Sequence, residues 1–217
     1  MRRSTAPAIK TSHQSLVFDP LRPNKGVMDT FDINSSLKNH FLIAMPALKD
    51  GIFANSITYI CEHDEHGAMG IVINHPLDVS LDEIFHHLDI EDISSAHQDR
   101  ILAGGPVHMN RGFILHRRTD DEWDSTIHIS DQVDLTTSQD ILTAIAHDKG
   151  PSDSIVALGY ASWEKGQLES ELADNTWLTI PADSDIIFNT PIEQRAAAAV
   201  AKMGVDLALI SPQVGHA

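Results

Sequence analysis

The densest run of metal-ligating side-chain types is Cys61-Glu62-His63-Asp64-Glu65-His66. On one helical turn, His63 and His66 at i, i+3 could chelate a divalent ion. The flanks argue against a helix: Ser56–Glu62 and Ala68–Asn74 are β-rich runs, and side chains alternate along a strand, so Cys61 faces away from Glu62. No second Cys/His pair stands at zinc-finger spacing. The run therefore reads as the polar tip of a hairpin, and no metal or cofactor is expected. His86 and His87 are adjacent on a helical pattern and diverge by about 100°. His75, His97 and His108 are isolated in loops and expected to be solvated.

Nucleophilic and phosphate-binding signatures are poor. There is no G-x-S-x-G elbow, no G-x-x-x-x-G-K-[ST] loop and no G-x-G-x-x-G turn. Cys61, the single cysteine, sits in an apolar β run as a small core residue. Two segments stand out instead. The first is Gly104-Gly105-Pro106, followed by Arg111-Gly112 and a strand ending at His116. Paired glycines allow backbone angles closed to other residues, and Pro106 stiffens the turn. Arg111, isolated in an acidic chain, either holds a partner carboxylate or phosphate bidentately or pairs internally. The second segment runs from Gly159-Tyr160 through Trp163, Gly166, Gln167 and Glu169 to Asn175 and Trp177. Its aromatics leave a strand through a Gly-bounded loop. They serve either as rigid recognition area with a polar handle or as plain core.

The elements that must position these segments follow from periodicity. Strands are expected at His40–Met45, across the hairpin, at Ile101–Ala103, Gly112–His116, Thr126–Ile129, Val133–Leu135, Ile155–Gly159, Trp177–Ile180 and Val205–Ile210. Pro76 stops the second hairpin strand. Ser80-Leu-Asp-Glu83 is a capping box that opens a short helix with Leu81, Ile84, Phe85 and Leu88 on one face. Helices are also expected at Thr137–His147 and Gln167–Ala173. A last one starts at Thr190-Pro191-Ile192-Glu193, read as a second capping box, and ends at Gly204. Strands and helices mix without a β-α-β rhythm, which favours a single α+β domain with a mixed sheet.

Composition narrows the setting. The 217 residues hold 31 acidic and 15 Lys plus Arg side chains, for a net charge of -16. Residues 1–27 carry five basic groups against Asp19, a net of +4, so the remainder carries -20. Residues 1–34 lack amphipathic period and read as a disordered basic extension; residues 35–217 carry the fold. An acidic body argues against direct nucleic-acid binding, which needs clustered Lys and Arg. No run approaches the roughly 20 apolar residues of a membrane-spanning helix. A lone cysteine suits a reducing, cytoplasmic compartment.

The motifs HFLIAMP (40–46), SITYICEH (56–63), GAMGIVIN (67–74), LAGGPV (102–107), RGFILH (111–116), TTSQDIL (136–142) and GYASWEKGQLESEL (159–172) together resemble the YqgE/AlgH family of bacterial proteins. The resemblance covers residues 35–212. It implies a compact α+β fold whose mixed sheets curl toward a barrel, flanked by short helices. It implies no established reaction, and one branch carries a label as a regulator of alginate transcription. Members often have Glu before the Arg-Gly pair, where this chain has Asn110, and Gly before the loop tryptophan, where it has Ser162. The resemblance points to Gly104, Gly105, Pro106, Arg111, Gly112, His116, Gly159, Tyr160, Trp163, Gly166, Gln167, Glu169, Asn175 and Trp177 as site residues.

Rich aromatic and glycine motifs beside poor catalytic ones favour a non-catalytic binding or regulatory protein with a protein or small-molecule partner. Any part in transcription would then be indirect. The alternative is a hydrolase or transferase, which requires His116, Arg111 and Glu169 to converge on one cleft.

Overall fold

Alternating apolar residues give this chain strands whose two faces are both buried, and the sheet they build has a core on each side. The computed structural model describes residues 36–48, 51–91, 93–94 and 99–204. The strands are β1 (His40–Ala44), β2 (Ile57–Asp64), β3 (Gly67–Val72), β4 (Pro76–Ser80), β5 (Arg100–Ala103), β6 (Val107–Arg117), β7 (Thr126–His128), β8 (Val133–Thr136), β9 (Ser154–Glu164) and β10 (Trp177–Pro181). The helices are α1 (Leu81–His87), α2 (Gln139–Ala146), α3 (Gln167–Ala173), α4 (Ser184–Phe188) and α5 (Arg195–Ala201). Strand order is β10-β1-β2-β3-β9-β6-β8-β7, with β5 beside β9 and β4 beside β5. Every pairing is antiparallel except β5–β9. The result is the expected α+β domain, a mixed sheet curled into a half-barrel.

The period of two assigns each residue to a side. Phe41, Ile43, Tyr59, Phe113, Leu115, Ile155 and Ala157 point into the curl, where α4 and α5 contribute Ile186, Ile187, Ala199 and Val200. Cys61 lies there too, fully buried. The alternate residues Ile114, Val156 and Leu158 face outward under α1 and α2. Leu42, Ile60, Ala161, Trp163 and Trp177 face outward under Phe53 and α3.

The long strand β9 organises the molecule. Its first half lies between β6 and β5, and its second half pairs with β3. The chain leaving β5 must therefore pass from one edge of β9 to the other to become β6. Gly104–Pro106 makes that crossing over the β9 backbone. The Gly104 amide donates to the Leu158 carbonyl at 2.8 Å. A Cβ on Gly105 (φ +155°) would lie 2.1 Å from the Tyr160 carbonyl carbon. A Cβ on Gly159 (φ +74°) would lie 2.5 Å from the Gly105 carbonyl oxygen. Two backbones meet where no side chain fits, which accounts for glycine at both positions.

Several boundaries differ from the sequence reading. The segment expected to leave its strand at Gly159 continues as β9 to Glu164, because Gly159 bends the strand rather than ending it. β6 begins at Val107, five residues early. Pro76 opens a further strand, β4, where its missing N–H sits at a strand's first residue. The box at Ser80 forms as expected: Glu83 N–H donates to Ser80 Oγ, and Ser80 N–H to Glu83 Oε2. The one at Thr190 does not, because the Thr190 hydroxyl donates back to the Asp185 carbonyl and Ile192–Gln194 forms a single 3₁₀ turn. α4, missed from the sequence, is capped by the Asp183 carboxylate. The basic extension 1–34 and the strand expected at Val205–Ile210 lie outside the described residues.

Candidate functional site

The aromatic segment folds as a buried support. Trp163 and Trp177 are 5% and 6% exposed and meet edge to face, each also against Phe53. Both indole N–H groups donate to one oxygen, Glu171 Oε2, at 2.9 and 2.7 Å. The other oxygen accepts from Gln167 Nε2 at 2.9 Å, and Gln167 Oε1 accepts from the Glu164 amide at 3.0 Å. One carboxylate therefore satisfies two buried indoles and anchors α3 across the sheet. Gly166 provides the turn into α3, and Asn175 the left-handed residue (φ 55°) after it.

Glu169, on the same helix, has a different task. His63 Nδ1 accepts from the Leu37 amide at 2.8 Å, so its Nε2 carries the proton donated to Glu169 Oε1 at 2.9 Å. Partial burial opposes ionisation of Glu169, yet its hydrogen bonds to its own backbone amide and to His63 outweigh burial and hold its pKa below the ordinary value. His63 is thus a tie between β2, α3 and the chain before β1. No group of three His, Cys, Asp or Glu side chains converges among the described residues.

His116 lies at the opposite end of β9, where it pairs with Ser154. It is 1% exposed; Nδ1 contacts the Arg117 carbonyl at 3.0 Å and Nε2 the Thr136 hydroxyl at 2.9 Å. Arg111 lies between the two ends, with its guanidinium over the Phe113 ring at 5.8 Å. His116, Arg111 and Glu169 therefore do not share a cleft, and the geometry required by the hydrolase or transferase alternative does not form. Burial is the main influence on His116 and pushes its pKa below the ordinary value, against the Arg117 carbonyl and the Asp134 charge. The unfolded chain then binds the proton more readily, near pH 6.5, than the folded one. This contribution to stability is complete above about pH 6.5 and lost as pH falls from there through the lowered folded value. Denaturant midpoints between pH 7.5 and 5.5 are expected to fall with acidification; a rise would contradict this placement of His116.

What remains exposed is the arm after the crossing. Val107 pairs with Tyr160 and Gly112 with Leu158, so His108–Arg111 bulges from the ladder opposite Gly159 alone. His108 has φ +48°, and its ring stacks on Tyr160 at 5.9 Å; Tyr160 in turn packs on Phe113. Met109 is 62% exposed at the tip. On one flank Asn110 and Gly112 border a groove of about 520 Å³ whose walls include Ile84, Leu88, Ile114, Leu142 and Leu158. On the other flank lies Arg111. Pro106 is exposed just before the bulge.

The two segments singled out in the sequence do meet: Gly104 and Gly105 cross at Gly159 and Tyr160, Val107 pairs with Tyr160, and His108 and Phe113 pack on the Tyr160 ring. The sequence marks neither Glu171 nor Met109, and His63 reads there only as part of a polar hairpin tip. The signal that could have found Glu171 is its place one turn after Gln167 on a helix that packs on the strands of Trp163 and Trp177.

Comparison with known proteins respects the same boundaries. The AlgH-like family model matches residues 41–208. A UPF0301 protein from Thioalkalivibrio sulfidiphilus is 54% identical over 184 residues, covering 85% of this chain and 98% of that protein. One from Saccharophagus degradans is 53% identical over 182 residues, covering 84% and 89%. The solution structure of the AlgH protein from Pseudomonas aeruginosa aligns with a TM-score of 0.70 at 48% identity, covering 84% of this chain and 97% of that one. A crystal structure from Corynebacterium diphtheriae, at 18% identity and a TM-score of 0.65 over 82% of this chain and 93% of that one, shares the fold. With the motifs, the half-barrel and the glycine crossing in place, this chain belongs to the AlgH-like family.

Proposed function

We propose that this chain is a non-catalytic binding protein that engages another protein through the bulge His108–Arg111 and the apolar groove beside it. The observation that carries this reading is Met109, 62% exposed on a bulge whose base is pinned by the Gly105–Gly159 crossing. An exposed methionine on a rigid base offers adaptable apolar contact at little ordering cost. The groove suits an apolar side chain of the partner. Arg111 makes no ion pair with a carboxylate among the described residues, and its charge suits an acidic group on the same partner. Trp163, Trp177 and Gln167 take no part in this surface; they hold α3 through Glu171. A net charge of -20 over residues 28–217 favours a protein over nucleic acid, so any effect on transcription runs through that partner.

Affinity capture with the native chain and with Met109→Ser and Arg111→Ser tests the reading. Both side chains are exposed, so thermal midpoints should stay unchanged. Affinity for a captured partner should drop by about tenfold or more for Met109→Ser, the scale of a modest hot spot. Full retention of binding by both variants contradicts the proposal.

A further inference from the structure

A second depression, of about 620 Å³, lies between β5, the start of β9 and the α4–α5 connection. Arg195 lines it, although the residue is only 6% exposed. Its Nε donates to the Thr190 carbonyl at 3.1 Å, and Nη1 donates to the Ile73 carbonyl. Both partners are neutral. Among the described residues no carboxylate lies within ion-pairing distance, and Nη2 has no protein hydrogen bond. Burial lowers the guanidinium pKa to about 10, with the charge of Glu193 acting in the other direction, so it remains charged at neutral pH. An uncompensated buried charge is costly, and a planar guanidinium with a free edge fits a carboxylate or phosphate oxygen.

From this geometry we infer that the cleft is a binding site for a small carboxylate or phosphate anion, with Arg195 as its buried receptor. Ser152 and Ser154 line the same cleft, and neither hydroxyl has a protein partner among the described residues. Arg100 stands at the rim, held only loosely by Asp78 at 3.8 Å. Asp99 and Asp148 line the cleft too. These carboxylates oppose a polyanion such as nucleic acid. They weigh less on a single anionic group seated against Arg195, where the dielectric is lower. The ligand class is therefore a small molecule with one terminal carboxylate or phosphate. The site shares no residue with the bulge and only the buried Val156 with the groove beside it, so either proposal can fail without the other.

The test uses the full chain, with inorganic phosphate and acetate as separate probes, against chloride at constant ionic strength. Side-chain ¹⁵Nε–¹H signals of arginine and the backbone amides of Ser152 and Ser154 are followed by NMR. A saturable shift confined to Arg195 and these serines is expected with at least one probe, together with a rise in thermal midpoint that chloride does not give. Phosphate alone acting assigns a phosphate ester class, acetate alone a carboxylic acid class. Arg195→Lys should weaken binding by about tenfold or more, the worth of a hydrogen bond to a charged group. Should that variant not fold, Ser154→Ala is expected to weaken binding in the same direction with the fold intact. No saturable local shift with either probe, or shifts that both variants leave unchanged, would overturn the assignment and leave Arg195 as a tie between α5 and the chain just after β3.

Discussion

Gly105→Ala is expected to abolish stable folding. The added methyl carbon would stand 2.1 Å from the Tyr160 carbonyl carbon and 2.3 Å from the Ala161 amide nitrogen. All of these are backbone atoms, so no rotamer relieves the contact. Either the crossing lifts off β9 or the β6–β9 ladder breaks, and in both cases the strand that bears the bulge is lost. A loss of at least about 4 kcal/mol is expected, a large part of the roughly 5–15 kcal/mol that holds a typical domain together. Gly159→Ala should behave alike, because it adds a left-handed backbone angle to a 2.5 Å contact. Gly112→Ala is the matched control: nothing lies within 4 Å of its Cβ position, and a change within about 0.5 kcal/mol is expected. Urea midpoints of the three variants decide this. A Gly105→Ala chain as stable as Gly112→Ala would refute the crossing.

The second large effect lies at Glu171. Glu171→Ala leaves the indole N–H groups of Trp163 and Trp177 without their acceptor, both in nearly water-free surroundings. Each unsatisfied buried donor costs about 1–3 kcal/mol, so a total of about 2–4 kcal/mol is expected after partial relaxation. Glu171→Gln keeps one oxygen for the indoles but turns an amide nitrogen toward Gln167 Nε2, itself a donor, so its loss should be smaller. Denaturant midpoints give the energies. Tryptophan emission should shift to the red in the alanine variant as water reaches the rings. Equal stabilities of native and Glu171→Ala chains would show that the shared carboxylate contributes nothing.

These two sites also mark where sequence reasoning stops. Local signals were legible: the Ser80–Glu83 box, the hairpin of β2 and β3, and the period of two that buries Phe41 and Ile43 on one face and Leu42 on the other. The crossing was not legible, since Gly105 and Gly159 are constrained by one another across 54 positions of sequence. A glycine before Tyr-Ala-Ser-Trp reads locally as a loop, and only the close approach of Gly105 explains why the strand bends there and continues. Trp163 reads equally as recognition surface or core until Glu171 is found beneath it. Thr190-Pro191-Ile192-Glu193 carries a capping signature, but the Asp185 carbonyl takes the Thr190 hydroxyl first. Arg195 left one trace: a charged residue four positions before Ala199, on the buried face of an Ala-rich helix.

The central claim is that recognition occurs at the bulge and groove, not at the buried tryptophan pair. ¹³C-methyl spectra of methionine and ¹⁵N spectra of the indoles, recorded with and without a partner recovered by affinity capture, test it in one sample. The Met109 methyl signal should shift or broaden on binding, while the Nε1 signals of Trp163 and Trp177 stay in place. Movement of the two indole signals with an unchanged Met109 methyl would contradict the account.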